Sequence, residues 1–440
     1  HSLAGVEFAT DSSLNSIGNN AFKDAKRLIS ITIPAGVTSI GTDAFSGAAR
    51  LTEINVYGSN SDYSDVSGVL FNKDVTSLMK YPEGKLGTSY NIPNSVTTIV
   101  DNAFNGATAL TSITIPASVT SIGLYVFLSA SLLQTINVDD NNTNYSDVSG
   151  VLFNNDNTLL IRYPEGKLDT SYTIPTGVTS IGAGAFRQHR KLTSVTIPNT
   201  VTSIGDIAFY GVTNNGILNT ITFEANSTLE TIGTEAFRYA KITSIEIPAS
   251  VTTILKGAFL YVPLTTLTFA DISNSKLTTI GEQAFQNVFV TTITIPASVT
   301  TIGKNAFYES ANFSNPQYIT FHDISNSKLT TIGEGAFQET KIQTITIPPL
   351  VNSIGLDALY GTSLTEINVH SNNTNFSDVS GVLFNNDYTL LIKYPEDKPD
   401  SSYTIPASVT SIGVEAFKSA TKLTTVSFED ISNSNLEKID

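Results

Sequence analysis

The sequence predicts a β-rich repeat solenoid, a single array over residues 1–440 whose short parallel strands stack rung on rung. Three observations predict it. A stretch such as LTSITIPASVTSIGLYVF, Leu110 to Phe127, recurs along the chain. Within it apolar residues alternate with Thr and Ser, which is strand periodicity, until Pro116 and Gly123 force turns. The Ala-Phe landmark at its end recurs at short spacings: 45 − 22 = 23, 127 − 104 = 23, 209 − 186 = 23 and 259 − 237 = 22 residues. One such coil cannot bury Leu110, Ile113, Ile115, Val119, Ile122 and Phe127 alone, so copies on either side must do it.

Taken in order, residues 1–56 hold two repeats and open a third. Three longer Phe spacings, 59, 59 and 58 residues, each contain one insert: about 57–91, 139–172 and 370–403. The inserts run from Tyr63-SDVSGVLFN to Tyr81-PEGK, from Tyr145-SDVSGVLFN to Tyr163-PEGK, and from Phe376-SDVSGVLFN to Tyr394-PEDK. In the first, Val69–Asn72 and Ser77–Tyr81 read as a hairpin turning at Lys73-Asp74. Pro82 follows Tyr81 as Pro116 follows Ile115, so Ser77–Tyr81 is expected as an extra rung of the ITIP sheet. From Thr173 to Leu364 the Phe spacing wanders between 22 and 30, through loops at 210–216, 270–275, 310–316 and 322–327. Leu14 to Phe22 is already the second half of a repeat, and Leu436 to Asp440 the start of another. A fragment of a longer chain is the expectation.

A period in the low twenties with an L-x-x-I-x-I strand is the signature of a leucine-rich repeat. The pattern L-T-x-I-T-I-P-x-x-V-T-x-I-G-x-x-A-F, repeated some thirteen times, resembles the BspA-like (Treponema pallidum type) class. The insert G-V-L-F-N-x-D-x-T-x-L-x-x-Y-P-E-G-K resembles one found in that family. The resemblance implies a right-handed superhelix with a parallel sheet, short convex segments and three hairpin-bearing inserts. One departure concerns the family's frequent Cys three residues after the Phe. Here that place holds Ala25, Ala48, Ala107, Ala130, His189 or Ala420. The small-residue packing role survives, and a redox or metal role of those thiols does not.

Composition narrows the function. Charged residues make up 14%, so Thr, Ser and Asn must cover much of the surface. The net charge of −15 disfavours nucleic acid and anionic membrane as partners. The chain has no Cys, which excludes disulfides and thiolate metal sites. No run of eighteen apolar residues offers a membrane span.

In L-x-x-I-x-I the residues between the apolar ones point outward. That face carries Thr114, Thr196, Glu246, Thr294 and Thr346, the expected ligand-facing strand positions. Thr is a good strand former and like-on-like ladders suit a stacked sheet, so the array has a purely structural reading as well. A regular Thr array is also similar to that of ice-binding solenoids. Catalytic signals are missing: no H-E-x-x-H, G-x-S-x-G elbow or P-loop is present. His322-Asp323 reads as a variable loop, since the parallel ADISNS loop has Ala at the His position. The basic run from Arg187 to Lys191 reads as a solvated turn. The pairs Asp65 with Asp74, Asp147 with Asp156 and Asp378 with Asp387 are the carboxylates a calcium ion would use, yet their spacing is not that of an EF-hand. Sequons at Asn141, Asn144, Asn226, Asn312, Asn372 and Asn375 carry little weight in so Asn- and Thr-rich a chain.

The expectation is a non-catalytic binding scaffold, without cofactor, on a cell surface or secreted. The resemblance implies an adhesin-like role toward host or matrix proteins or other cell-surface proteins. The alternative is a structural subunit that self-associates end to end into a fibre or surface layer.

Overall fold

The computed structural model describes residues 5, 6, 8, 12–211, 217–310, 317–429 and 436–440. His1, Asn312, most of the loops at 210–216 and 310–316, and the ISNSN run at 431–435 lie outside them. The chain forms two compact units, one comprising the chain through Tyr172 together with Gly177–Thr193, the other most of the chain from Ser194 to Asp440. Each is a β-solenoid of stacked parallel strands with almost no helix. Among the described residues no helix is long and apolar enough to cross a membrane.

Every coil contributes two strands, and they build two different ladders. The four-residue strand, as in Ser112–Ile115, buries Ile113 and Ile115 and turns Ser112 and Thr114 outward. The two-residue strand, as in Ser121–Ile122, builds the second ladder. In the second unit that ladder runs unbroken through seven rungs, from Ser203–Ile204 to Ser353–Ile354. Its Thr residues have a fixed task. Thr120 and Ser121 N–H both donate to Thr97 O, at 2.8 and 3.2 Å, and the Thr120 hydroxyl adds a third bond at 3.3 Å. Thr252, Thr278, Thr300 and Thr330 repeat this toward the carbonyl of the coil before.

The turn around most landmark Phe residues closes with two left-handed residues, such as Asn102 (φ 59°) and Gly106 (φ 79°) around Phe104. Asn, Asp and Gly tolerate that region, which explains their frequency at these places. Inside, the rings stack. In the second unit Phe209, Phe237, Phe259, Phe285, Phe307 and Phe337 form one column with centroids 5.0, 5.1, 5.2, 5.4 and 5.6 Å apart. In the first unit Ala48, Ala107 and Ala130, three residues after their own Phe, are wholly buried.

The inserts depart from the sequence expectation in three ways. Ser77–Lys80 is indeed a strand, but it pairs with Thr98–Ile99 in the two-residue ladder, not with the ITIP rungs. The ITIP place is taken by Ser89–Asn91, with Tyr90 opposite Ile113. A third strand, Tyr63–Val66, lies antiparallel to Val69–Asn72, so each insert is a three-strand meander and not a hairpin alone. Finally, the aromatic column is segmented. Tyr81, Tyr163 and Tyr394 restart it by stacking on Phe104, Phe186 and Phe417 at 5.2, 5.2 and 5.5 Å. They sit 104 − 81 = 23, 186 − 163 = 23 and 417 − 394 = 23 residues before those rings, so each is a landmark aromatic in disguise.

The meander also closes the edge it meets. Ile54 N–H donates to Gly68 O at 2.9 Å and Val56 N–H to Asp65 Oδ1 at 2.9 Å. The second and third inserts do the same through Asp147 and Asp378. Asn60, Asn142 and Asn373 are buried plugs whose amides reach the Pro and Val carbonyls of the coil before, Asn60 to Pro34 O at 2.8 Å and Val37 O at 2.9 Å. The two-residue ladder ends on a hydroxyl: Ile40 N–H donates to Tyr63 Oη, and Ile122 N–H to Tyr145 Oη, both at 3.0 Å. The third insert has Phe376 there and offers Ile354 no hydroxyl. Phe376→Tyr should therefore raise stability by about 1 kcal/mol and Tyr63→Phe lower it by about as much, read from urea unfolding midpoints.

Candidate functional site

The expected ligand-facing residues all lie on the outer face of the four-residue strands, in register with their neighbours. Thr114 sits between Asn91 and Asn137 in the first unit. In the second unit Thr196 pairs with Thr222, Glu246 with Thr268, Thr294 with Thr320 and Thr346 with Asn368. Thr294 and Thr320 share a hydroxyl hydrogen bond of 3.1 Å.

These rungs do not make one continuous sheet, which corrects the expectation that every strand pairs above and below. In the second unit they come two by two: Ser244–Ile247 with Thr266–Phe269, then Thr292–Ile295 with Tyr318–Phe321. Outside the insert, each break follows a rung that ends in Phe223, Phe269 or Phe321 where its partner ends in a wholly buried Ile. The larger ring is only half-buried, and the next rung stands off from it. The wandering Phe spacing is this alternation: 22, 26, 22, 30 and 22 residues from Phe237 to Leu359. Between Thr266–Phe269 and Thr292–Ile295 the break opens a groove of about 400 Å³ edged by Thr266, Thr268, Thr292 and Thr294.

The inserts create a second kind of opening. Where Phe45 is parted from Tyr81 a cleft of about 430 Å³ is lined by Thr42, Asp43, Leu70, Met79, Lys80 and Asn102. Its counterparts measure about 200 Å³ around Leu124, Tyr125, Ile161 and Arg162, and about 300 Å³ around Leu356, Tyr360, Ile392 and Val414. In each cleft the basic lining residue is ion-paired with a glutamate three residues on: Lys80 with Glu83 at 3.4 Å, Arg162 with Glu165 at 2.7 Å, Lys393 with Glu396 at 3.0 Å. The carboxylate takes the place of a missing carbonyl. In an ordinary coil Gly106 N–H donates to Leu128 O of the next coil, at 2.9 Å. At the inserts Gly47, Ser129 and Gly361 N–H instead reach Glu83, Glu165 and Glu396, at 2.8, 2.7 and 3.0 Å.

With both ladders and the inserts placed, comparison with known proteins is decisive. The BspA-type leucine-rich repeat region matches in six copies, over residues 2–75, 83–166, 165–275, 270–390 and 398–440. The chain belongs to the BspA-type leucine-rich-repeat family. A leucine-rich repeat protein from Eubacterium ventriosum has the same fold at 24% identity and TM-score 0.52, over 81% of this chain and 82% of its own. The pneumococcal vaccine antigen PcpA is similar at 19% identity and TM-score 0.36, over 96% and 73%. A leucine-rich cell surface protein from Faecalibacterium prausnitzii is similar at 19% identity and TM-score 0.30, over 99% and 91%. No curated protein matches.

Other candidates on this BspA-type array resolve into structure. Asp65 and Asp147 spend their carboxylates on backbone amides, the latter on Val138 and Gly150 at 2.8 and 3.1 Å. Among the described residues no three His, Asp or Glu side chains converge to hold a metal ion. Ser325 and His370, far apart in sequence, meet at 3.2 Å. His370 Nδ1 accepts Asn372 N–H, so in the neutral ring Nε2 carries the proton and donates to the serine. That is the wrong direction for a general base acting on Ser325.

The run from Arg187 to Lys191 is not a wholly solvated turn. Arg187 lies over the Tyr125 ring at 5.7 Å, and His189 is buried where other coils carry a small residue such as Ala, Val, Ser or Thr. The His189 ring nitrogens lie 2.6 Å from Phe186 O and 3.1 Å from Leu192 O. Burial pushes its pKa down, against the pull of those carbonyls, with Arg162 nearby acting in the same sense as burial. The folded state thus favours neutral His189. Its contribution is in place above the ordinary imidazole value of about 6.5 and is lost as pH falls through the lower folded-state value. His189→Ala should flatten the fall in urea midpoint between about pH 6.5 and pH 5, over the range where an imidazole titrates.

Proposed function

We propose that this chain is a non-catalytic, adhesin-like binding scaffold that acts outside the cell and attaches to proteins of a host, a matrix or another cell. One observation supports it most: outward polar side chains held in register on paired rungs, with an acid among them at Glu53 in the first unit and at Glu246 and Glu366 in the second. Such a face offers many weak polar contacts at fixed spacing and no chemistry of its own. The net charge of −15 favours basic partners.

The test is capture of matrix and cell-surface proteins on the immobilised chain, beside the variant with Glu246→Lys, Thr294→Lys and Thr346→Lys. A partner should bind the parent chain and bind the variant at least about tenfold more weakly, with unfolding midpoints unchanged. No capture above background, or equal capture by both, ends this reading.

A further inference from the structure

The clefts at the inserts have a cause that can be counted along the chain. In an ordinary coil the ring follows the Ile of the two-residue strand by five residues: 127 − 122 = 5 and 186 − 181 = 5. In the second insert Leu160 pairs with Ile181, yet Tyr163 follows it by only 163 − 160 = 3. The turn is short by 5 − 3 = 2 residues, and carbonyls are lost with them. In a full turn Asn102 N–H donates to Leu124 O at 3.1 Å and Phe104 N–H to Val126 O at 2.9 Å. Tyr125 and Phe127 hold the same places one coil on, and among the described residues none accepts their amides. The next amide of that row, Ser129 N–H, is met by the Glu165 carboxylate at 2.7 Å. A carboxylate is thus the group that already serves this row where the carbonyls are gone.

The cleft of about 200 Å³ beside these amides is walled by Leu124, Leu128, Leu152, Leu159 and Ile161. Arg162 lines it as well. Its terminal nitrogens reach Gly184 O and Glu165, while its buried Nε has no partner. Arg187 lies over the Tyr125 ring, and Arg190 is close enough to favour ionised Glu165. The basic run of the sequence therefore flanks this cleft. The first and third clefts have the same short turn, but acids stand in their walls: Asp43 and Asp101 in one, Asp357 and Glu415 in the other. The second carries Tyr125 where they have Asp43 and Asp357, and its lining contains no acid. Backbone amides without acceptors, beside a buried cation in an apolar cleft, suit an anionic group on a small apolar body. We propose that the cleft of the second insert binds a carboxylate carried on a small aliphatic body. This goes beyond the reading of the strand face as a protein-binding surface and does not depend on it.

The probe is isocaproate, titrated into the isotope-labelled whole chain at pH 7 and followed by amide NMR shifts. Its neutral twin is isocaproamide, which keeps the aliphatic body and loses the charge. Isocaproate should bind, and the amide at least about tenfold more weakly, the difference between charge-assisted and neutral hydrogen bonds. The Tyr125 and Phe127 amides should shift, while Asp43, Phe45, Asp357 and Leu359 in the acid-walled clefts should not. Tyr125→Asp gives the second cleft the acid that the other two carry at that place, in the same left-handed conformation, φ 54° against 54° and 56°. It should weaken isocaproate binding at least about tenfold and leave the urea midpoint nearly unchanged. A second arm uses the peptide Gly-Gly-Leu with a free C-terminus. Its binding would assign the carboxylate to the end of a partner chain, and its failure beside a binding isocaproate would assign it to a free acid. Equal binding of acid and amide, no binding of isocaproate, shifts at the other two clefts, or undiminished binding by Tyr125→Asp overturns the proposal. Each of those results leaves the capture experiment on the strand face untouched.

Discussion

Glu165→Ala should cost the first unit about 3–5 kcal/mol, the range for removing one partner of a buried ion pair. Arg162 is buried and gives its guanidinium to Glu165 Oε1 at 2.7 Å and to Gly184 O at 2.7 Å. Without the carboxylate the arginine is left charged and unpaired, and Ser129 N–H loses its acceptor. Burial raises the Glu165 pKa even with Arg162 beside it, and it lowers that of Arg162. Desolvation therefore weighs heavily here, and the pair is a costly way to bridge the gap that the insert makes. It follows that the double change Arg162→Met with Glu165→Leu should cost much less than Glu165→Ala alone. The Glu165 shift has its own sign. A raised folded-state pKa means that its contribution is present below the ordinary carboxylate range and fades as pH rises. Urea unfolding of the parent and the two variants at pH 7 reads the losses, and the parent compared with Glu165→Ala across pH 4 to 8 reads the sign.

Phe259→Ala should cost the second unit about 3–5 kcal/mol, the usual range for emptying a buried aromatic site. Phe259 is wholly buried between Phe237 and Phe285, at 5.1 and 5.2 Å, with the rings within 8° and 5° of parallel. A stacked array shares each ring between two interfaces, so one deletion weakens both. Phe259→Leu should cost far less, because Leu359 already fills the same place in its own coil and is buried there. A broadened or two-step unfolding transition for Phe259→Ala, against a single one for Phe259→Leu, is the expected pattern. Equal losses for the two variants would mean that the column is not a stack of interdependent interfaces.

Much of this was legible in the residues. Alternation in ITI, the Pro that ends it and the recurring Ala-Phe placed the rungs, their inward side chains and the positions of the inserts. What was missed depended on distance along the array. Ser77–Lys80 resembles an ITIP rung locally, since Tyr81 is followed by Pro82. Its ladder is decided by Tyr81, which stacks as a landmark ring and so fixes the strand before it on the other side of the coil. The spacing of 23 residues to Phe104 carried that information. The Tyr63–Val66 strand has an Asp in its centre, which speaks against a strand until the carboxylate is seen capping the Val56 amide. The double period was hidden because rungs ending in Ile-Pro and rungs ending in Phe have the same apolar alternation, and what separates them is the ring's size and the missing Pro. Glu83, Glu165 and Glu396 look like solvated acids in a PEG or PED turn, and nothing short of the missing carbonyl predicts their burial. Of the candidate face, the outward direction of Thr114, Thr196, Glu246, Thr294 and Thr346 was legible, and the breaks between their rungs were not.

The central claim is that neighbouring coils pair as parallel rungs in one register. A chain without cysteine tests it directly, because two can be introduced at will. Thr294→Cys with Thr320→Cys places thiols on directly paired residues, and air oxidation should join them nearly completely. Thr294→Cys with Ile319→Cys turns the second thiol to the buried side and should leave both free. Mass spectrometry of the oxidised proteins gives the answer. A disulfide in the second variant and none in the first would contradict the register on which the strand face and its grooves are built.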